Sequence, residues 1–139
     1  MSNLSAFLYQ NTLKTKKIKT IISDRFVDEN GEIQPFEIQS ITSGEDDEIR
    51  ESCKIITKSG NKSVSENDLT AYSRKLVTRC VVFPDLNDKQ LQDSYGVIGA
   101  EDVLNAMLLP GEYARLFEKV KEINGFNHKF KDLVSEVKN

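Results

Sequence analysis

The chain has 139 residues, of which 38% are hydrophobic and 29% charged, with a net charge of −3. That length suits a single domain, residues 1–139, burying roughly 70% of its unfolded surface, and the acidic balance argues against a general nucleic-acid binder, which carries a basic surplus. The opening residues lack the basic and long apolar regions of a secretory leader, and no apolar run approaches the ~20 residues of a membrane span, so the expectation is a cytoplasmic protein with no membrane partner.

Residues 1–12 carry an apolar patch of Leu4, Phe7, Leu8 and Tyr9. Leu4, Phe7 and Leu8 share one face if the segment is helical. So short a helix is unstable alone, and the segment reads as an arm that docks on its own domain or on something else. Lys14, Lys16, Lys17 and Lys19 follow as a basic run. Ile18 to Val27 is predicted as a strand, Asp28-Glu29-Asn30-Gly31 as a hairpin turn, and Ile33 to Ile41 as the returning strand. Pro35 suggests an edge or a bulge near the start of that return. A lone hairpin is marginal in water, so its apolar face must lie on helices or join a sheet with another chain.

Thr42 or Ser43 is the expected cap of the next helix: Thr42 stands three residues before Glu45, the spacing of a capping box, and the acidic run Glu45, Asp46, Asp47, Glu48 and Glu51 suits a helix N-terminus. Ile49, Cys53 and Ile56 mark the expected buried stripe of this helix. Thr57 to Ser65 is polar and reads as an exposed loop. Ser65, with Asp68 three residues on, is the expected cap of a longer helix whose seam is Leu69, Tyr72, Leu76 and Cys80. Val81, Val82 and Phe83 lead to Pro84, which stops it. Asn87 sits three residues before Gln90, again capping spacing. Gly96 and Gly99 end that short helix and open the next. Pro110 fits the first turn of a further helix, with Glu112 placed well for the dipole, and Tyr113, Leu116, Phe117, Val120 and Ile123 form its stripe up to Gly125. Asn127 is the expected cap of a final amphipathic helix, residues 127–139, with Phe130, Leu133, Val134 and Val137 on one side; it either docks or projects. The fold class is α+β: an N-terminal β-hairpin followed by a mainly helical body of about five or six helices.

No set of side chains points to catalysis, a cofactor or a metal. The single histidine, His128, would have to meet Cys53 or Cys80 to make a nucleophilic pair, but both cysteines fall on apolar stripes and are expected as buried free thiols. Two cysteines and one histidine fall short of a four-ligand zinc site. The carboxylate pairs Asp46–Asp47, Glu101–Asp102 and Asp85–Asp88 fall at helix starts, where the dipole accounts for them. Gly96 and Gly99 have no following Gly-Lys-Ser/Thr and make no phosphate loop. Gln92, Asp93 and Tyr95 on the short helix either bond the ends of neighbouring helices or form a recognition surface. The basic and acidic runs are solvated faces or guide a partner by charge.

Several strings, in order, carry a resemblance: NLSAFL, RFVDENG, ITSGEDDEIRESC, YSRKLVTRCVVFPDLND, LQDSYGV and LLPGEYARL. Together they resemble the XkdN-like tail assembly chaperones of contractile-tailed phages and PBSX-type prophages over most of the chain. The resemblance implies a chaperone that coats the tape measure protein before the tail tube polymerises and helps recruit tail tube subunits. It also implies that a frameshifted longer form does the recruiting while the short form coats. Two apolar extremities, Leu4/Phe7/Leu8 and Phe130/Leu133/Val134/Val137, suit such contacts and also allow self-association. The rival reading is a small structural tail component or adaptor retained in the virion.

Overall fold

A computed structural model describes residues 3–15 and 17–126. Its first element is a 3₁₀ turn at Asn3–Phe7, followed by strand β1 (Ile18–Thr20). The predicted strand to Val27 is cut short here. Ile22 and Ser23 are both buried, and two successive inward residues break the alternation that a strand requires. The carbonyl of Ile22 accepts instead from Arg115 Nη1 at 2.5 Å. The turn is wider than an Asn-Gly pair alone, because the Asp28 carboxylate organises it. Its Oδ1 accepts from the N–H groups of Asn30 and Glu32, both at 2.9 Å, and Gly31 takes φ +80°. A single Val27–Ile33 bridge closes the turn.

The returning strand β2 (Phe36–Ile38) starts immediately after Pro35 and pairs antiparallel with β1, Ile18 opposite Ile38. The third partner comes from the same chain. Val81–Phe83, expected only as a run into Pro84, is a strand that pairs antiparallel with the other side of β2, with an irregularity between Glu37 and Ile38. Hydrogen bonding of this segment to β2 thus completes a sheet of order β1-β2-Val81–Phe83.

Helix α1 (Ser43–Ser52) begins as expected. Glu45 N donates to Thr42 Oγ1 at 3.2 Å, and the Glu45 carboxylate reaches back to Thr42 N. Its stripe ends one turn early: Ile49 and Cys53 are buried, but Ile56 is exposed. The reason is that the expected loop is a second hairpin. Strand β3 (Lys54–Ser59) and strand β4 (Lys62–Asn67) pair in continuous register around Gly60-Asn61. With Ser65 committed to β4, the cap of helix α2 (Leu69–Cys80) passes to Asp68, which accepts from Ala71 N at 3.1 Å. Tyr72, Leu76, Val77 and Cys80 are buried, whereas Leu69, in the first turn, faces solvent.

The segment Val81–Phe83 is β5. After a cis Phe83–Pro84 bond, Asn87 is occupied in a turn, its N–H donating to Asp85 Oδ1 at 3.0 Å. The cap of helix α3 (Lys89–Tyr95) is therefore Asp88, one residue later than expected. Gly96 ends α3 in the left-handed region and Gly99, φ +105°, starts helix α4 (Ala100–Met107). Helix α5 (Pro110–Ile123) has Pro110 in its first turn. Leu109 at the cap position has no side-chain acceptor, so only half of a capping box forms: Leu109 N donates to Glu112 Oε1 at 2.8 Å.

The core gathers where α2 packs on α1, α4, α5 and the three-stranded sheet. Ile38 from the sheet and Ile22 from the loop after β1 meet Leu76, Val77, Val103, Leu104, Leu116 and Val120 from the helices, all nearly sealed from solvent. The α+β class and the N-terminal hairpin are as expected, with five α-helices among the described residues. The expected terminal helix lies outside them.

Candidate partner-binding surfaces

Two locks fix the body and leave other parts free. In the first, Arg25, from the loop after β1, grips Glu112 at the start of α5 with two parallel bonds, Nε to Oε2 at 3.0 Å and Nη2 to Oε1 at 2.5 Å. Nη2 also donates to the Met107 carbonyl at 2.8 Å. Bidentate guanidinium–carboxylate pairing fixes geometry as well as charge. Hydrogen bonds from Arg25, Ser23 and the Leu109 N–H hold the Glu112 carboxyl down at about 2. In the second lock, the Tyr72 hydroxyl donates to Asp46 Oδ1 at 2.5 Å, and Arg50 Nε donates to Asp46 Oδ2 at 2.8 Å, while the Arg50 guanidinium lies over the Tyr72 ring. Burial works against the Asp46 carboxylate, but these donors outweigh it and hold its pKa below the ordinary range. Burial, then the bond to Asp46, pushes the Tyr72 phenol up to about 12.

Gln92 joins these structural groups. Its Nε2 donates to the Leu86 carbonyl at 2.9 Å and its Oε1 accepts from Gly99 N at 3.1 Å, so it ties the ends of α3 and α4 together. Asp93 pairs with Lys89 one turn earlier on the exposed side of α3, and Tyr95 is partly exposed. Cys53 and Cys80 are buried free thiols, and burial pushes the Cys80 thiol up. Among the described residues no three His, Cys, Asp or Glu side chains gather as metal ligands would.

The arm is built differently. Phe7 is 80% exposed and Leu13 is 94% exposed; Leu4 and Tyr9 are well exposed and Leu8 less so. The bonds that shape it are local: Thr12 N and Oγ1 donate to the Leu8 carbonyl, and Asn11 Nδ2 to the Ser5 carbonyl at 2.8 Å. The Lys14 ammonium sits 3.1 Å from the Tyr9 ring centroid. None of its apolar side chains belongs to the buried core. The structure therefore brings Leu4, Phe7 and Leu8 into one exposed segment. Phe130, Leu133, Val134 and Val137 lie outside the described residues, so the two extremities are not seen together.

Apolar exposure continues beyond what the sequence patterns signalled. Ile21 and Leu109 line an open cleft beside Arg115. Ile98, between α3 and α4, is 88% exposed. Ile56 and Val64 stand out on the second hairpin. The available signal for that hairpin was Ile55-Ile56-Thr57 before Gly60-Asn61, β-branched residues followed by a hairpin dipeptide. No helix among the described residues is long and apolar enough to cross a membrane.

A model of the phage XkdN-like tail assembly chaperone proteins matches residues 4–138. The chain is 32% identical over 139 residues to the phage-like element PBSX protein XkdN of Bacillus subtilis strain 168, covering 99% of this chain and 94% of that protein. It is 31% identical to YqbN, an uncharacterised protein of the same strain, covering 99% of this chain and 93% of that one. The crystal structure of YqbN superposes with a TM-score of 0.78 at 28% identity, covering 91% of this chain and 99% of that one. The strings that carried the resemblance hold the two locks, the Thr42 cap and the Gln92 tie. The chain belongs to the phage XkdN-like tail assembly chaperone family.

Proposed function

We propose that this chain coats the tape measure protein during tail assembly in the host cytoplasm, helps recruit tail tube subunits, and does so without catalysis. The observation that carries the reading is the arm: large apolar side chains held by local bonds and left outside the core. A long helical partner exposes apolar faces that aggregate when bare. Many modest contacts repeated along it protect it by avidity and still yield to tube subunits. The residues 1–12 arm, through Leu4, Phe7 and Leu8, is the contact surface in this reading, with Phe130, Leu133, Val134 and Val137 of the terminal segment as its counterpart.

Replacing Phe7 and Leu8 by Asp is expected to leave the melting temperature of the chain unchanged and to abolish solubilisation of co-expressed tape measure protein. Undiminished solubilisation removes the arm from the mechanism. Purified particles distinguish the rival reading: a chaperone is missing from them, whereas a retained adaptor is present in fixed stoichiometry.

A further inference from the structure

The β3–β4 ribbon stands apart from the body. Every one of its strand residues is exposed, and among the described strands the two pair only with each other. A two-stranded ribbon in water is marginal, and each open edge is a row of donors and acceptors ready for another strand.

The two edges are not equivalent. Register runs unbroken from Lys54↔Asn67 to Ser59↔Lys62, across a two-residue turn with Gly60 at φ +62°. The residues flanking such a turn form a hydrogen-bonded pair, and bonded and non-bonded pairs alternate from there. Ser59↔Lys62, Thr57↔Val64 and Ile55↔Glu66 therefore bond inward. On β4 it is the backbone of Ser63 and Ser65 that faces outward.

A strand that adds antiparallel to its own copy must match its own sequence reversed. With the two-fold axis at Val64, β4 does so. Ser63 exchanges backbone bonds with Ser65 of the second copy, Val64 meets Val64, and Lys62 lies opposite Glu66 on both sides of the axis. Strand β3 offers no such register, because its only charged residues are Lys54 and Lys58. An axis at Ile56 sets these lysines against each other.

We propose that this chain forms a two-fold dimer by antiparallel addition of β4 to β4 of a second copy, giving a four-stranded sheet of order β3-β4-β4-β3. One face of that sheet then carries Thr57, Val64, Val64 and Thr57 in a row, flanked by Lys62–Glu66 pairs. Apolar and opposite-charge cross-strand pairs are the favourable ones. Lysine on an edge strand ordinarily deters pairing, but here the second copy supplies the compensating carboxylate. The contact is isologous and small, so the dimer depends on concentration. The dimer does not require the coating role proposed above.

Sedimentation velocity on the full chain, from low to high micromolar, tests it. The expected result is a monomer–dimer equilibrium that weakens with salt. Lys62→Glu and Glu66→Lys each place like charges together twice and should weaken the dimer about tenfold or more. Mixing these two variants should restore association as a heterodimer, and the double exchange Lys62→Glu/Glu66→Lys should dimerise alone. Ser65→Pro removes an outward N–H while leaving the inward ladder, and should give a monomer. Unchanged helical circular dichroism and melting confirm that each variant is folded. A monomer at every concentration overturns the proposal, as does a dimer indifferent to these changes or a mixture that fails to recover.

Discussion

Arg25 and Glu112 are 87 positions apart in sequence, yet they form a two-bond contact. Glu112 was expected to serve the helix dipole; its second role, gripping the loop after β1, is a tertiary event that no local spacing reports. The same holds for Tyr72, placed on an apolar seam by periodicity but also a donor to Asp46. Local signals were legible where the partner lies within one turn, as at Thr42–Glu45. They misled by one position at Asn87 and by three at Ser65, because each of these residues already belonged to a neighbouring turn or strand. The Glu112 lock has a defined acid dependence. The folded carboxyl titrates at about 2 against an ordinary 4.5. Its contribution is therefore fully present above about 4.5 and is lost as pH falls through about 2. Glu112→Gln is expected to lower the melting temperature by several degrees at neutral pH. The gap between variant and parent should close as the solution is acidified through that window, which calorimetry at stepped pH measures.

At the scale of elements, the helices with sharp punctuation were readable and the short strands were not. Gly96, Gly99 and Pro110 set boundaries that the structure keeps. Strand β5 has only three residues, too few to show a period of two, and it owes its ladder to β2 rather than to its own pattern. The β3–β4 hairpin reads as a loop in the sequence because both of its faces are exposed, which leaves no apolar alternation to find. Its base is nevertheless well defined: Asp68 N donates to the Cys53 carbonyl at 2.9 Å, so the chain enters and leaves at nearly the same place. Replacing Lys54–Asn67 by Gly-Gly is therefore expected to shift the melting temperature by only a few degrees and to leave the helical circular dichroism per folded molecule intact. Loss of cooperative melting would show that the ribbon supports the body.

For the molecule as a whole, the fold class was legible because helix periodicity dominates the chain, whereas the division into a closed body and outlying apolar pieces became visible only through burial. The proposed contacts use the outlying pieces, so binding and folding should be separable by mutation. The two cysteines give a direct way to see this. Cys80 is sealed beneath Asn124, where α2 meets the end of α5, and Cys53 is sealed at the junction of α1 and the ribbon. Neither thiol can meet an alkylating reagent until its own surroundings part, so the pair acts as two clocks set in different places. Opening confined to the ribbon base should label Cys53 first; global unfolding should label both at one rate. A Leu104→Ala variant, destabilised by about 2–5 kcal/mol, should speed both clocks. Occupation of the arm by a client should leave the Cys80 clock running at its original pace, since the grip would be taken without loosening the centre.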